Sequence, residues 1–150
     1  MHRPVLRVCV LMMSWLVVSA GAAAGGRQSP ADIQSVVDDV RDALGLNAVI
    51  RIIVVDANPK LASVSPVRGS VGEFELSVEL AFLQELTPTE LRAVVAHELG
   101  HVWIYGNHPY LHTEQLANEI ALRVVDRASL ESAYHKVAAR GGPDASRAVR

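Results

Sequence analysis

Two histidines and a glutamate form the part of this sequence with the clearest chemistry. His97, Glu98 and His101 lie in the run His-Glu-Leu-Gly-His, with the histidines four residues apart. A helix has 3.6 residues per turn, so positions i and i+4 share a face and both imidazoles could bind one metal ion. The glutamate would then lie beside an open coordination position. The spacing predicts a zinc site with two histidine ligands and Glu98 as the general base.

A zinc ion held by two histidines needs a third protein ligand, and the position of that ligand differs between families. The metzincin pattern would continue with glycine and histidine, but this chain has Ile104 and Asn107 there, and His108 is one residue out of register. Further on, the run Glu-Gln-Leu-Ala-Asn places Glu114 and Asn118 four residues apart. Both side chains can therefore face the histidine helix.

The pair of motifs resembles the small zinc-dependent gluzincin peptidases over residues 91–125, and among them most closely the ImmA/IrrE-like metallopeptidases. The resemblance implies one Zn²⁺ per chain, with Glu114 as the third ligand. It also implies that Asn118 accepts a hydrogen bond from the distal nitrogen of a ligand histidine. The fold it implies is α+β, a minimal zincin or gluzincin core in which a small twisted sheet packs on the motif helix and the helices that follow.

Other residues remain candidates for the third ligand, because only twelve residues separate His101 from Glu114, fewer than the resemblance leads us to expect. Glu119 is the main alternative, and His108 and His112 are further ones. Four of the five histidines beyond residue 24 fall between residues 97 and 112, which favours a metal neighbourhood over scattered surface histidines.

The expected function is that of a zinc metallopeptidase, in which zinc polarises the peptide carbonyl and lowers the pKa of water toward about 7 while Glu98 removes a proton. Gluzincins also use a downstream side chain to stabilise the oxyanion. Tyr134 and His135 are the candidates for this role, and the alternative for both is an ordinary amphipathic helix face. The competing function is a catalytically inactive, zinc-stabilised peptide-binding domain of the same fold. The retained Glu98 argues against it, because a pure binder needs no base.

Hydrophobic periodicity and capping residues predict the elements that position these side chains. The predicted helices are 30–44, 79–86, 88–105, a helix from near Pro109 or Thr113 to Val125, and a helix capped by Ser129 that runs to 139. The predicted strands are 49–55 and 73–78, and residues 61–71 are predicted as a loop or an irregular strand pair. The strand 73–78 alternates polar and apolar residues, as an edge strand would. In the resembled enzymes such a strand lies along the zinc cleft, so the expected substrate is an extended peptide or an unfolded protein.

Residues 1–24 have the layout of a secretory signal peptide, with Arg3 and Arg7 before an apolar run and small residues at Ala20–Ala24. An exported, periplasmic or secreted location follows. The alternative is an uncleaved anchor, in which case a membrane becomes a partner. The metallopeptidase domain is then expected at 25–140, and a disordered tail at 141–150.

Charge and cysteine usage exclude other classes of protein. Without Arg3 and Arg7, 12 basic residues remain against 16 acidic ones, a net charge of −4. No basic stripe is left, which argues against a nucleic-acid partner. The single cysteine, Cys9, lies in the signal segment. The remaining chain has no disulfide available, so it must rely on its core and its metal.

Overall fold

The computed structural model describes residues 30–107, 109 and 111–141, which form a three-stranded sheet and five helices. The elements are α1 (Pro30–Ala43), β1 (Val49–Val55), β2 (Ala62–Pro66), β3 (Glu73–Glu79), α2 (Leu80–Leu83), α3 (Pro88–Gly106), α4 (Glu114–Ala121) and α5 (Arg127–Ala139). This mixture of one small sheet with helices confirms the predicted α+β class. The predicted signal segment 1–24 and residues 142–150 of the predicted tail lie outside the described residues.

The sheet has the order β1-β3-β2, so β3 is its central strand. β3 pairs in parallel with β1, from Val49 opposite Glu73 onward, and antiparallel with β2, from Ala62 opposite Val78 onward. The prediction that 73–78 is an edge strand is therefore wrong. Alternating burial is the same for an edge strand and for a central strand with one face covered, so the pattern could not separate them. The edge strand near the motif is β2, within the segment predicted as a loop or irregular strand pair.

The outer edge of β1 is covered by a side chain of α1. The amide of Gln34 donates from Nε2 to the carbonyl of Ile50 at 3.0 Å, and its Oε1 accepts from the N–H of Ile52 at 3.1 Å. These are the bonds that a neighbouring strand would make, so one amide replaces a strand at this point.

Helix α3 lies in the centre of the fold and packs against α1, β2, α4 and α5. Its apolar side chains are buried on several faces, as in a core helix rather than a surface one. It begins as predicted, with Thr87 as N-cap, Pro88 in the first turn and Glu90 completing a capping box. None of the helices in the described part of the chain is long and apolar enough to cross a membrane.

The last helix begins three residues earlier than predicted. Its N-cap is Asp126 rather than Ser129, and the carboxylate of Asp126 accepts from the N–H of Ser129 at 2.8 Å. The preceding helix α4 also ends earlier than predicted, at Ala121. Aspartate and serine both favour the N-cap position, so sequence alone does not say whether Asp126 or Ser129 will cap the last helix.

A buried carboxylate joins α5 to the start of α3. Glu90 is 5% exposed, and it accepts from Lys136 Nζ and from Ser132 Oγ, each at 2.6 Å, and from the N–H of Thr87 at 2.7 Å. Burial raises the pKa of Glu90, but the hydrogen bonds from these three partners outweigh it and bring the pKa down to about 2. The contact fixes α5 against α3, and α5 carries Tyr134 toward the motif.

Replacing Glu90 by Gln should lower the free energy of unfolding at pH 7 by about 2 kcal/mol, because it removes the buried carboxylate of a partly buried ion pair. The pKa of Glu90 is about 2 in the folded protein against an ordinary value of 4.5. Its contribution is therefore full above pH 4.5 and lost as the pH falls from 4.5 toward 2. Denaturant unfolding across this range should show the difference between wild type and E90Q shrinking. Glu75→Gln, which removes an exposed carboxylate of β3, is the control. A difference that stays constant with pH would contradict the assignment.

Candidate metal centre

Helix α3 places both motif histidines on one face, as the spacing predicts. Nε2 of His97 and Nε2 of His101 are 3.2 Å apart, and the two rings are perpendicular, with centroids 4.8 Å apart. Both side chains are nearly buried, with 12% and 13% of their surface exposed. Two ring nitrogens therefore converge on one small space.

The carboxylate of Glu114 reaches the same space from the first residue of α4. Its Oε2 is 3.1 Å from Nε2 of His97, and its Oε1 is 3.5 Å from Nε2 of His101. Ligands at about 2.0–2.1 Å from a tetrahedral zinc ion lie roughly 3.3–3.4 Å apart. The three donors, which all lie within 4.8 Å of one another, therefore have the identity and the spacing that a zinc ion requires.

The electrostatics of this cluster also suit a cation. Hydrogen bonds from His101 and His97 hold the pKa of Glu114 well below its ordinary range. Burial lowers the pKa of His97, but the hydrogen bond to Glu114 and the charges of Glu98 and Glu114 outweigh it, so the pKa is raised. Lone pairs that attract a proton in this way would also attract a metal ion, and the metal would have to displace that proton.

Asn118 and Tyr134 contact the side of His97 that faces away from the cluster. Oδ1 of Asn118 is 2.8 Å from Nδ1 of His97, and it also accepts from the hydroxyl of Tyr134 at 2.7 Å. The carbonyl oxygen of an amide can only accept, so Nδ1 of His97 donates. In neutral His97 the lone pair is then on Nε2, the atom that faces His101 and Glu114.

The carboxylate of Glu98 is buried between α3 and the edge strand. The residue is 9% exposed, and its Oε2 accepts from the N–H of Val64 in β2 at 3.0 Å. A backbone donor thus holds the predicted base in one orientation. Val64 was not among the sequence-predicted site residues, because a main-chain donor leaves no residue-type signal.

A close backbone approach lets α4 reach the histidines. A Cβ added at Gly100 would lie 2.5 Å from the carbonyl oxygen of Ala117 and 3.0 Å from its Cα. Real Cβ atoms essentially never come so close, and the atoms they would meet are backbone. Only glycine fits at position 100 without moving α4 and the two of its polar side chains that contact the histidines, Glu114 and Asn118.

A cleft of about 220 Å³ runs beside these groups, between β2 on one side and α5 on the other. His97, Glu98, His101 and Glu114 line it, together with Lys60, two residues before β2. The remaining wall is mostly apolar and includes Ala62, Val64, Pro66, Phe74, Phe82, Val94, Val102, Leu130, Ala133 and Val137. A few convergent polar groups in a mostly apolar cleft are typical of a binding site.

Two of the other predicted ligands, Glu119 and His112, lie away from the three donor atoms. Glu119 is exposed, and its Oε1 accepts from Gln115 on the outside of α4 at 3.0 Å. His112 lies next to Nδ1 of His101 rather than among the three donor atoms. His108 lies outside the described residues.

The two candidates for the oxyanion also differ in position. The hydroxyl of Tyr134 is 3.1 Å from Nδ1 of His97, behind the histidine as seen from the donor cluster. His135 is exposed on α5 and is not among the described residues that line the cleft. Tyr134 also lines the cleft, and its hydroxyl contacts both Asn118 and His97. Its role toward an oxyanion stays a prediction.

Replacing Gly100 by Ala should force α4 away from α3 and lower both stability and metal affinity. We expect a loss of about 1–3 kcal/mol in the free energy of unfolding, as for an overpacked core. We also expect at least about a tenfold loss in zinc affinity, because the partners on α4 move with the helix. The matched control is Gly106→Ala, where an added Cβ meets nothing within 4 Å. Unfolding curves and chelator competition measure both effects. Equal behaviour of the two variants would show that α4 can adapt.

Comparisons with known proteins agree with this geometry. Residues 27–142 match the model of peptidase family M48. Among solved structures, the chain is similar to the metallopeptidase zymogen of Pyrococcus abyssi abylysin, with a TM-score of 0.52 and 15% identity over 72% of this chain and 93% of that one. At this identity the likeness shows a shared fold. No curated protein matches the sequence. Neither finding shows the particular closeness to the ImmA/IrrE-like metallopeptidases. The family match covers most of the chain, which therefore belongs to peptidase family M48.

Proposed function

We propose that this protein is a zinc-dependent metallopeptidase that cleaves peptide bonds within extended chains, with Glu98 as its general base. Membership of family M48 supports the metallopeptidase class. The observation that carries the proposal is the convergence of two histidine nitrogens and one carboxylate within 4.8 Å, beside a buried glutamate.

The donor set favours zinc over other metal ions. Calcium and magnesium prefer oxygen ligands, whereas two imidazoles and one carboxylate are a common set for catalytic zinc. Three protein ligands leave one position open, as in catalytic rather than structural sites. When bound, the ion supplies a Lewis acid that polarises a carbonyl oxygen and lowers the pKa of water to about 7.

The proton steps fall to Glu98. Its carboxylate lies next to both the donor cluster and the cleft, so it can take a proton from the attacking water and pass it to the leaving amine. The N–H of Val64 binds Oε2 and leaves the second oxygen of the carboxylate for this transfer. Asn118 keeps His97 in the tautomer that turns its Nε2 lone pair toward the cluster.

The edge strand β2 supports an extended peptide as the substrate. It forms one wall of the cleft, and an edge strand can pair outward backbone groups with an added chain. The N–H of Val64 is bound by Glu98, so the carbonyl groups of β2 would accept from such a chain. A folded substrate presents few free backbone groups, so an unfolded segment should be preferred. This assigns to β2 the substrate-pairing role predicted for β3. Export of the chain, from the signal-like residues 1–24, stays a prediction.

Replacing Glu114 by Ala should remove one of the three ligands and lower zinc affinity by at least about 100-fold. Loss of a hydrogen-bond partner of a ligand already costs about 10–100-fold in affinity, and loss of the ligand itself should cost at least as much. Glu119→Ala removes a carboxylate from the same helix that points away from the cluster, and it should bind zinc like the wild type. Mass spectrometry of the purified protein and chelator competition give the occupancy and the affinity. The reverse order of the two variants would make Glu119 the ligand.

Replacing Glu98 by Gln should leave zinc binding intact and lower kcat for peptide hydrolysis by about 10²–10⁴-fold, the usual contribution of a general base. The amide oxygen can still accept from Val64, so the structure should be preserved. The substrate in this assay is an unfolded protein, and the same substrate protein in its folded state serves as the comparison. Full activity in E98Q would exclude the proposed mechanism. A wild type that binds zinc and peptide without cleavage would instead support the inactive binding domain.

A further inference from the structure

His112 lies in the segment between α3 and α4 and contacts one of the motif histidines directly. Its Nε2 is 2.8 Å from Nδ1 of His101. The two rings are nearly parallel, with 9° between their planes and 4.8 Å between their centroids. His101 therefore has a partner for each ring nitrogen, with Nε2 facing His97 and Glu114 and Nδ1 facing His112.

This contact has the form that a metal ligand needs. A histidine that binds a metal through Nε2 must carry its proton on Nδ1, and an acceptor for that N–H fixes both the tautomer and the ring orientation. For His97 the acceptor is Oδ1 of Asn118. For His101 the atom in the corresponding place is Nε2 of His112, which accepts when the proton of that ring is on its other nitrogen.

The position of His112 is set by the beginning of α4. The next residue, Thr113, is the N-cap of this helix, and its side chain accepts from the N–H of Leu116 at 3.1 Å. The residue after it, Glu114, contacts both motif histidines. Three consecutive residues thus supply the partner of one histidine, the cap of the helix and the third donor. The cap gives an exposed histidine a defined place.

We propose that His112 is a positioning residue: it accepts a hydrogen bond from Nδ1 of His101 and so holds Nε2 of His101 toward the metal. The inference rests on the proposed zinc site. His112 is not itself a ligand of that ion, because it contacts the nitrogen that points away from the donor cluster. The role is the counterpart, for the second histidine, of the one Asn118 has for the first.

The test compares two substitutions of His112 in the full-length protein. H112F keeps a flat ring but has no acceptor, whereas the side-chain carbonyl of H112Q can accept in place of Nε2. Zinc affinity is measured by competition with a chelator of known affinity. We expect H112F to bind zinc about 10–100-fold more weakly and H112Q to stay within about threefold of the wild type. H135F, which changes an exposed histidine of α5, should bind zinc like the wild type.

Three outcomes separate the alternatives. If the wild type and H112F bind zinc equally, the positioning role is wrong and the zinc site stands. If H112Q binds as weakly as H112F, the acceptor is not what matters, and His112 acts as a ligand or as packing. If the wild type does not bind zinc, the proposed function fails together with this inference. Denaturant unfolding of the metal-free variants is the second measurement. A loss of stability in H112F that matches its loss of affinity, without rescue in H112Q, would also overturn the proposal.

Discussion

The backbone approach between Gly100 and Ala117 is the constraint on which the rest of the site depends. These positions lie between the functional residues of their helices, so their separation sets the distance between the histidines of α3 and the polar side chains of α4. With a side chain at position 100, the carbonyl of Ala117 would have to move. The packing of α3 against α4 therefore also sets the geometry of the three donor atoms, and a change in the packing would change that geometry.

The elements around α3 share the task of holding its two histidines. Asn118 and Tyr134 fix His97 from α4 and α5, while β2 holds Glu98 through a backbone N–H. The hydrogen bond between Glu90 and Lys136 fixes α5 against α3 about two helical turns before the motif begins. Buried polar groups in the described residues around the motif therefore have partners, and such a network gives a site its rigidity.

Residue type and spacing along one helix were enough to predict where several side chains of the candidate site lie. The motif helix, its capping box and strand β1 appear where periodicity and capping residues predict them, because these signals are local. Glu114 and Asn118 share a face for the same reason. The place of β3 within the sheet was not predictable, since it depends on whether residues 61–71 pair with it. The contacts of Val64 and His112 were likewise missed, because each comes from a residue outside the two motif helices and neither shows in a periodicity.

Gln34 has a consequence for a protein whose proposed substrates are unfolded chains. A sheet with two open sides could capture such a chain on either one, and capture on the far side would be unproductive and would invite stacking of further chains. At Ile50 and Ile52 the amide of Gln34 already occupies the backbone groups that a captured chain would need. The side chain of Gln34 thus blocks the addition of another strand to the sheet at this part of β1. If the proposed substrates are correct, capture would occur at β2, beside Glu98, and the risk of fibre-like self-association through β1 would be reduced.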